Sequence, residues 1–206
     1  MIFIIDFDGT LICPKHRIYK LFCELAPQPA LSFDAYWALK MAGLSNADIL
    51  RRYYDWLDTQ INRFNSLWMS TIETRDYLKL DNLITGVPSA LVTLKSLGAL
   101  YLCTSRQYES GVVSQLQEHD IFAIFERVIV TGKARDKAEA ILDCNLDLTN
   151  DCWLIGDTGK DVITSREINI RSCAVTTGVM NIFNLRKYAP DAIHLSIDHF
   201  AQTFRN

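Results

Sequence analysis

The amino-acid sequence predicts an α/β protein: a parallel sheet with crossover helices, interrupted after its first strand by a helical insertion. Three observations carry that expectation. A short apolar run, Ile2 to Ile5, stops abruptly at Asp6 and Asp8, and continuous apolar runs that end in turn residues are how strands buried on both faces read. From Gly86 onward, strand-like and helix-like segments alternate, the pattern of βαβ units. Between these two parts, residues 14–85 carry only helical periodicity.

The first strand leads into an Asp8-Gly9-Thr10 turn. Asp-Gly turns close many ordinary strands. Two carboxylates at one strand tip are more telling, because open α/β sheets gather functional groups at strand carboxyl ends. The insertion opens at Pro14 and is broken at Pro27 and Pro29. Before the break Ile18, Leu21, Phe22 and Leu25 share a helix face, and after it Phe33, Tyr36, Trp37 and Lys40 do. From Asn46 to about Leu80 a long run repeats apolar residues at three- and four-residue steps, through Ile49, Leu50, Tyr53, Leu57, Ile61, Phe64, Leu67 and Trp68. Asn46 followed by Asp48 suits a helix start. The aromatic residues of this block read as bundle core.

After Gly86-Val87-Pro88 the predicted elements are a helix over 89–97 stopped by Gly98, a strand over 99–106, and a helix over 110–119. A strand over 127–131, a helix over 137–144, a strand over 152–157, a helix over 161–167 and a strand over 171–178 follow. Residues 1–13 and 86–206 are thereby assigned to the α/β core and 14–85 to the insertion.

With 49% apolar and 22% charged residues among 206, the chain has ordinary globular composition and enough apolar material for a core. A net charge of −3 leaves no basic footprint for nucleic acid. Cys13, Cys23, Cys103, Cys144, Cys152 and Cys173 are dispersed, without ligand spacing, as expected of a reduced, cytoplasmic setting. No apolar run approaches the roughly 20 residues that span a bilayer, and the N-terminal run is too short for a signal peptide.

Three later strands also end in polar groups. One finishes in Thr104-Ser105-Arg106, another in Thr131-Gly132-Lys133 with Lys137 four residues on, and a third in Gly156-Asp157 with Asp161 four residues later. If these strands are parallel neighbours, their ends converge on Asp6 and Asp8. A divalent cation would relieve the crowding of carboxylates, and either aspartate can act as a nucleophile. Carboxylates, a hydroxyl, a lysine and a metal suit phosphoryl chemistry, which is mostly positioning and charge neutralisation.

These residues, in this order, resemble the haloacid-dehalogenase-like (HAD) hydrolase superfamily: DFDGT at 6–10, LCTSR containing Thr104, Lys133 or Lys137, and GDTGKD at 156–161. GVPSALVTLKSLG and AVTTGV are similar to segments of its phosphoglycolate-phosphatase-like members, and the insertion falls where their helical cap does. The resemblance implies a Rossmann-like core with that cap. It implies Asp6 as nucleophile, forming an aspartyl-phosphate, and Asp8 as the acid that protonates the leaving oxygen and then activates water. Mg²⁺ would be held by Asp6, the backbone carbonyl of Asp8, and Asp157. Thr104 and the lysine would neutralise phosphoryl oxygens, with Gly9 and Thr10 shaping the loop and Ser105 and Arg106 meeting substrate. Arg106 equally suits a cover over the rim. Asp161 would orient the lysine or a metal-bound water, or simply complement a helix N-terminus.

The lysine has two candidates. Many members of the superfamily carry Lys-Pro-x-Pro, and the segment from Lys133 to Asp136 lacks both prolines, although its 24-residue spacing to Asp157 fits. Lys137 opens a helix, as in members that use a bare lysine, and is favoured. Lys15, His16 and Arg17 read as solvated charges that an anionic substrate would also attract.

The implied activity is a Mg²⁺-dependent phosphatase for a small phosphate monoester, without nucleic-acid or membrane partners. The oligomeric state is not legible. A dehalogenase has no need of Asp8. A phosphomutase shares the same core, and a phosphonatase would need a reactive cap lysine, for which Lys15, Lys20 and Lys40 are candidates by presence alone. A non-catalytic binding protein would be signalled by loss of an acidic motif residue, and none is lost.

Overall fold

An apolar strand buried on both faces needs a neighbour on each edge and a packed layer on each face. In the computed structural model, which describes residues 1–26, 28–132 and 135–205, β1 (Ile2–Ile5) has all four. After β2 (Ile12–Cys13) come five helices, α1 (Lys15–Leu25), α2 (Phe33–Met41), α3 (Asn46–Tyr54), α4 (Asp58–Thr71) and α5 (Arg75–Leu78), then β3 (Asn82–Leu83). The rest alternates: α6 (Val87–Leu97), β4 (Ala99–Thr104), α7 (Glu109–Glu118), β5 (Arg127–Val130), α8 (Lys137–Leu142), β6 (Trp153–Gly156), α9 (Gly159–Glu167) and β7 (Arg171–Val175). It closes with α10 (Ile182–Arg186), β8 (Ala192–His194) and α11 (Ile197–Gln202).

A six-stranded sheet in the order β5-β4-β1-β6-β7-β8 is parallel throughout. On β1, Ile5 pairs with Leu102 on one side and Ile155 on the other. The chain leaves β1 toward β4 and β5 in one direction and toward β6, β7 and β8 in the other. Strand order therefore reverses beside β1, the place where sheets of this kind bind ligands. This is a Rossmann-like α/β fold.

Strand alternation sorts the core into two layers. Phe3 and Ile5 pack with Leu91 and Leu94 of α6, Leu116 of α7 and Phe200 of α11. Ile4 faces the opposite way, onto Cys103, Ile129, Leu154, and Ala138 and Ile141 of α8. The sequence reading stops at residue 178, whereas the sheet continues through β8, paired with β7. That strand is three residues long, too short for periodicity to register.

The chain divides into two compact units, Met1–Cys13 with Leu83–Asn206, and Pro14–Asn82. In the helical unit, the long periodic run splits into α3, α4 and α5. Asp55 adopts a left-handed conformation at the end of α3, which an α-helix does not continue through. The start of α3 is capped by Ser45, one residue before the expected Asn46, in a reciprocal capping box with Asp48. The aromatics pack: the Phe22 ring lies 4.5 Å from Tyr36 and 6.2 Å from Phe64. Arg17 of α1 donates from Nε to Asp81 Oδ1 at 2.9 Å and from Nη1 to the Ile72 carbonyl at 3.2 Å, joining the two ends of the unit through a buried ion pair. Among the described residues no helix is long and apolar enough to cross a membrane.

A buried carboxylate deprived of its cation is expensive, while removing both charges is not. Arg17→Met should destabilise the helical unit by about 3–5 kcal/mol, and adding Asp81→Leu should recover most of that. Urea unfolding followed by tryptophan fluorescence checks this, since Trp37, Trp56 and Trp68 all report on that unit. A double variant no better than the single would count against the ion-pair account.

Candidate active site

Asp6 follows β1 directly, and its N–H donates to the Ile155 carbonyl at 2.9 Å, holding it in register with β6. The chain then folds back on itself. The Phe7 carbonyl accepts from the N–H groups of Leu11 (2.9 Å) and Ile12 (3.0 Å), and Gly9 N–H donates to the Ile12 carbonyl at 2.7 Å. This turn demands glycine twice over. Gly9 has φ +81°, and a Cβ there would lie 2.5 Å from Asp157 Oδ2. The fold-back leaves the Asp8 side chain 31% exposed.

Asp157 stands at the end of β6 and is buried. Its Oδ2 accepts from Val179 N–H at 2.7 Å, and Gly178 permits the approach, since a Cβ there would fall 1.7 Å from that oxygen. Four residues on, Asp161 sits in the first turn of α9. Its Oδ2 accepts from the hydroxyl of Thr158 at 2.6 Å and from Thr158 N–H at 3.1 Å, one half of a capping box. Lys137 opens α8, whose N-cap Asp136 accepts from Ala138 N–H at 2.8 Å. That cap aims Lys137 inward. Its Nζ lies 2.6 Å from both Asp6 Oδ1 and Asp161 Oδ1.

Asp6, Asp157 and Asp161 each present an oxygen within 4.8 Å of the others, all three buried. At an effective dielectric near 20, two like charges at such a distance repel by about 3 kcal/mol. Fully ionised, three carboxylates set against one ammonium would carry two negative charges in excess. Burial, opposed by Lys137, pushes the Asp6 carboxyl up to about 7, and burial with the Asp6 charge also raises Asp157. Burial alone would lower Lys137, but Asp161 and Asp6 outweigh it and keep the ammonium charged. Buried hard oxygens with excess negative charge fit a divalent cation.

The cluster thus gathers Asp6, Lys137 and the pair Asp157 and Asp161 from three separate places in the chain. Thr104 ends β4 fully buried, with its Oγ1 accepting from Arg106 N–H at 3.4 Å, and Ser105 beside it is half-buried. Thr10 is buried, and among the described residues its Oγ1 has no hydrogen-bond partner, nor has that of Thr131 at the end of β5. Lys133 lies outside the described residues. Arg106, read as a substrate contact or a rim cover, is instead turned into the protein: Nε and Nη2 donate to Asp8 at 2.6 and 2.8 Å, and Nη1 donates to Gln115 at 2.8 Å. Asp161 meets Lys137 through one oxygen and the helix start at Thr158 through the other.

Sequence reasoning missed the loop after β7. Thr177 donates from its hydroxyl to the Gly9 carbonyl at 2.6 Å, and Val179 supplies the N–H on Asp157. No local signal marks these long-range contacts. The capping box of Thr158 and Asp161 also went unread, although a threonine followed three residues later by an acid is its local signal.

The sequence profile of a family described as haloacid dehalogenase-like hydrolase matches residues 3–175. Among curated proteins, none matches the chain. Solved structures share its fold. A haloacid dehalogenase-like hydrolase from Streptococcus pneumoniae superposes with a TM-score of 0.79 at 22% identity, over 98% of this chain and 97% of that one. A candidate phosphoglycolate phosphatase from Lactobacillus delbrueckii gives 0.74 at 17% identity, over 98% and 96%. A candidate β-phosphoglucomutase from Thermotoga maritima gives 0.69 at 16%, over 99% and 98%.

The raised Asp6 carboxyl has a thermodynamic signature. Between its ordinary 3.8 and about 7 the folded, metal-free protein holds a proton that the unfolded chain has released, so this group's contribution to stability falls as pH rises through that window. In chelator, Asp6→Asn should therefore raise the thermal midpoint over wild type near pH 8, by about 2–4 °C for each kcal/mol relieved. The gain should shrink near pH 5, where wild-type Asp6 is already protonated. A variant less stable than wild type at the higher pH would contradict the crowding of charge.

Proposed function

Because the chain belongs to the haloacid dehalogenase-like hydrolase family, we propose that it is a Mg²⁺-dependent phosphatase acting on a small phosphate monoester in the cytoplasm. The observation that carries this reading is the Lys137 ammonium, 2.6 Å from both Asp6 and Asp161 beside buried Asp157. It puts a fixed positive charge against the nucleophile of the proposed reaction, where a phosphoryl group would arrive.

In the first half-reaction the Asp6 carboxylate attacks phosphorus and the bond from phosphorus to the leaving oxygen breaks. Asp8 gives its proton to that oxygen, so the products are the free alcohol and an aspartyl-phosphate. In the second, Asp8 takes a proton from water as the water oxygen attacks phosphorus. The bond from phosphorus to Asp6 breaks, releasing inorganic phosphate and restoring the carboxylate. Asp6, Asp157 and the Asp8 backbone carbonyl would hold Mg²⁺, which when bound neutralises charge on phosphoryl oxygens. Lys137 shares that task in the proposed scheme, and Thr104 contributes a hydroxyl. Asp161 keeps Lys137 aimed. Gly9 and Thr10 shape the loop around the phosphoryl group, with Ser105 nearby. The helical unit, Pro14–Asn82, is assigned the choice of leaving group, as a cap.

A phosphomutase would use the same first half-reaction and differ in handing the phosphoryl group to a sugar hydroxyl, the activity named for the Thermotoga structure. The reactions separate in one assay. With an aryl phosphate, phosphate release should require Mg²⁺, stop in chelator and vanish in Asp6→Asn, and Asp8→Asn should lower kcat by about 10²–10⁴-fold. Turnover surviving in Asp6→Asn would remove the proposed nucleophile. Release of phosphate only when a sugar phosphate acceptor is absent would favour the mutase.

A further inference from the structure

Arg106 stands two residues beyond Thr104, among the strand-end groups, yet its side chain is only 2% exposed while the Asp8 carboxylate it holds is 31% exposed. A carboxylate with that much access to water has no need of a buried partner to be tolerated. The guanidinium, by contrast, is costly to bury, and the protein builds a seat for it that does not depend on Asp8. Gln115, buried on α7, accepts from Nη1 at 2.8 Å, and the ring of Phe7 lies 5.0 Å from the guanidinium carbon. Phe7 is itself fully buried between Asp6 and Asp8 in the chain. The fork is therefore set from two sides by core residues.

What the fork grips is orientation. Nε on Oδ2 and Nη2 on Oδ1 fix both oxygens of Asp8 at once, which defines the carboxylate plane as a single ammonium would not. A carboxylate offers about four acceptor sites, more than the two N–H groups of the fork take up. Arginine does not give up its own proton in proteins and leaves the exchange of a proton to Asp8. We propose that Arg106 and Gln115 are positioning residues that hold the Asp8 carboxylate in its working orientation. The inference rests on the acid/base reading of Asp8 given above.

The test compares kcat/KM, which reports on departure of the leaving group, for an alkyl phosphate and for dinitrophenyl phosphate. An alkoxide needs a proton to leave and dinitrophenolate does not. Arg106→Met should lower kcat/KM for the alkyl phosphate by about 10–100-fold and for dinitrophenyl phosphate by less than about threefold, the selective profile expected of Asp8→Asn. Added to Asp8→Asn, it should cost nothing further, because residues acting through one group are not additive. Gln115→Met, which leaves the arginine in place, should show the same selectivity with a smaller loss, and it decides the matter alone if Arg106→Met fails to fold. Equal losses on both substrates, or losses that add fully to those of Asp8→Asn, would overturn the positioning role. If Asp8→Asn itself shows no such selectivity, the acid/base reading of Asp8 falls and the inference falls with it.

Discussion

Carboxylates crowd one end of this sheet, and the fold is arranged around a lysine that partly neutralises them. Lys137 reaches Asp6 and Asp161 from the first turn of α8. Repulsion of about 3 kcal/mol per pair of like charges is bearable because the strand that carries Asp6 is anchored elsewhere. Phe3, Ile4 and Ile5 are fully buried, and each such side chain stabilises the fold by about 1.5–3 kcal/mol. Burial of the strand forces the carboxylates together, and the ammonium makes the result tolerable without cancelling the excess charge.

The supports of the cluster are mostly backbone. Asp157 is held by the N–H of Val179, Asp161 by that of Thr158, and the loop through Gly9 by the carbonyl of Phe7 and the hydroxyl of Thr177. Gly9 and Gly178 are small because Asp157 occupies the space a side chain would need. Such a site is preorganised: its carboxylates are aimed by helix starts and strand ends, and its one long side chain, Lys137, is pinned between two of those carboxylates, which suits a reaction that depends chiefly on positioning.

Legibility followed chain distance. The strand ending in Asp6, the alternation after Gly86 and the acid pair four residues apart at Asp157 and Asp161 are local patterns, and the residues concerned lie together in the folded chain. Helix boundaries were less readable. Ser45 rather than Asn46 caps α3, and Asp55 stops it through a backbone conformation that side-chain periodicity does not encode. The final strand β8 is too short to announce itself. Arg106 was visible as a charge beside Thr104, but its direction was not, because Asp8 is 98 residues away and Gln115 is a polar residue in an otherwise ordinary helix.

By itself the sequence determined the class of fold, the family resemblance and the residue types at each strand end, since hydrophobic period and turn chemistry act over a few residues. Only the tertiary structure decided which of those residues meet. Parallel pairing on both edges of β1 set Asp6 beside Asp157, and the caps of α8 and α9 turned Lys137 and Asp161 toward them. The same packing buried Arg106 against Phe7 and Gln115. Those outcomes depend on strand order and on helix starts seated against the sheet, and neither is a property of any stretch of chain taken alone.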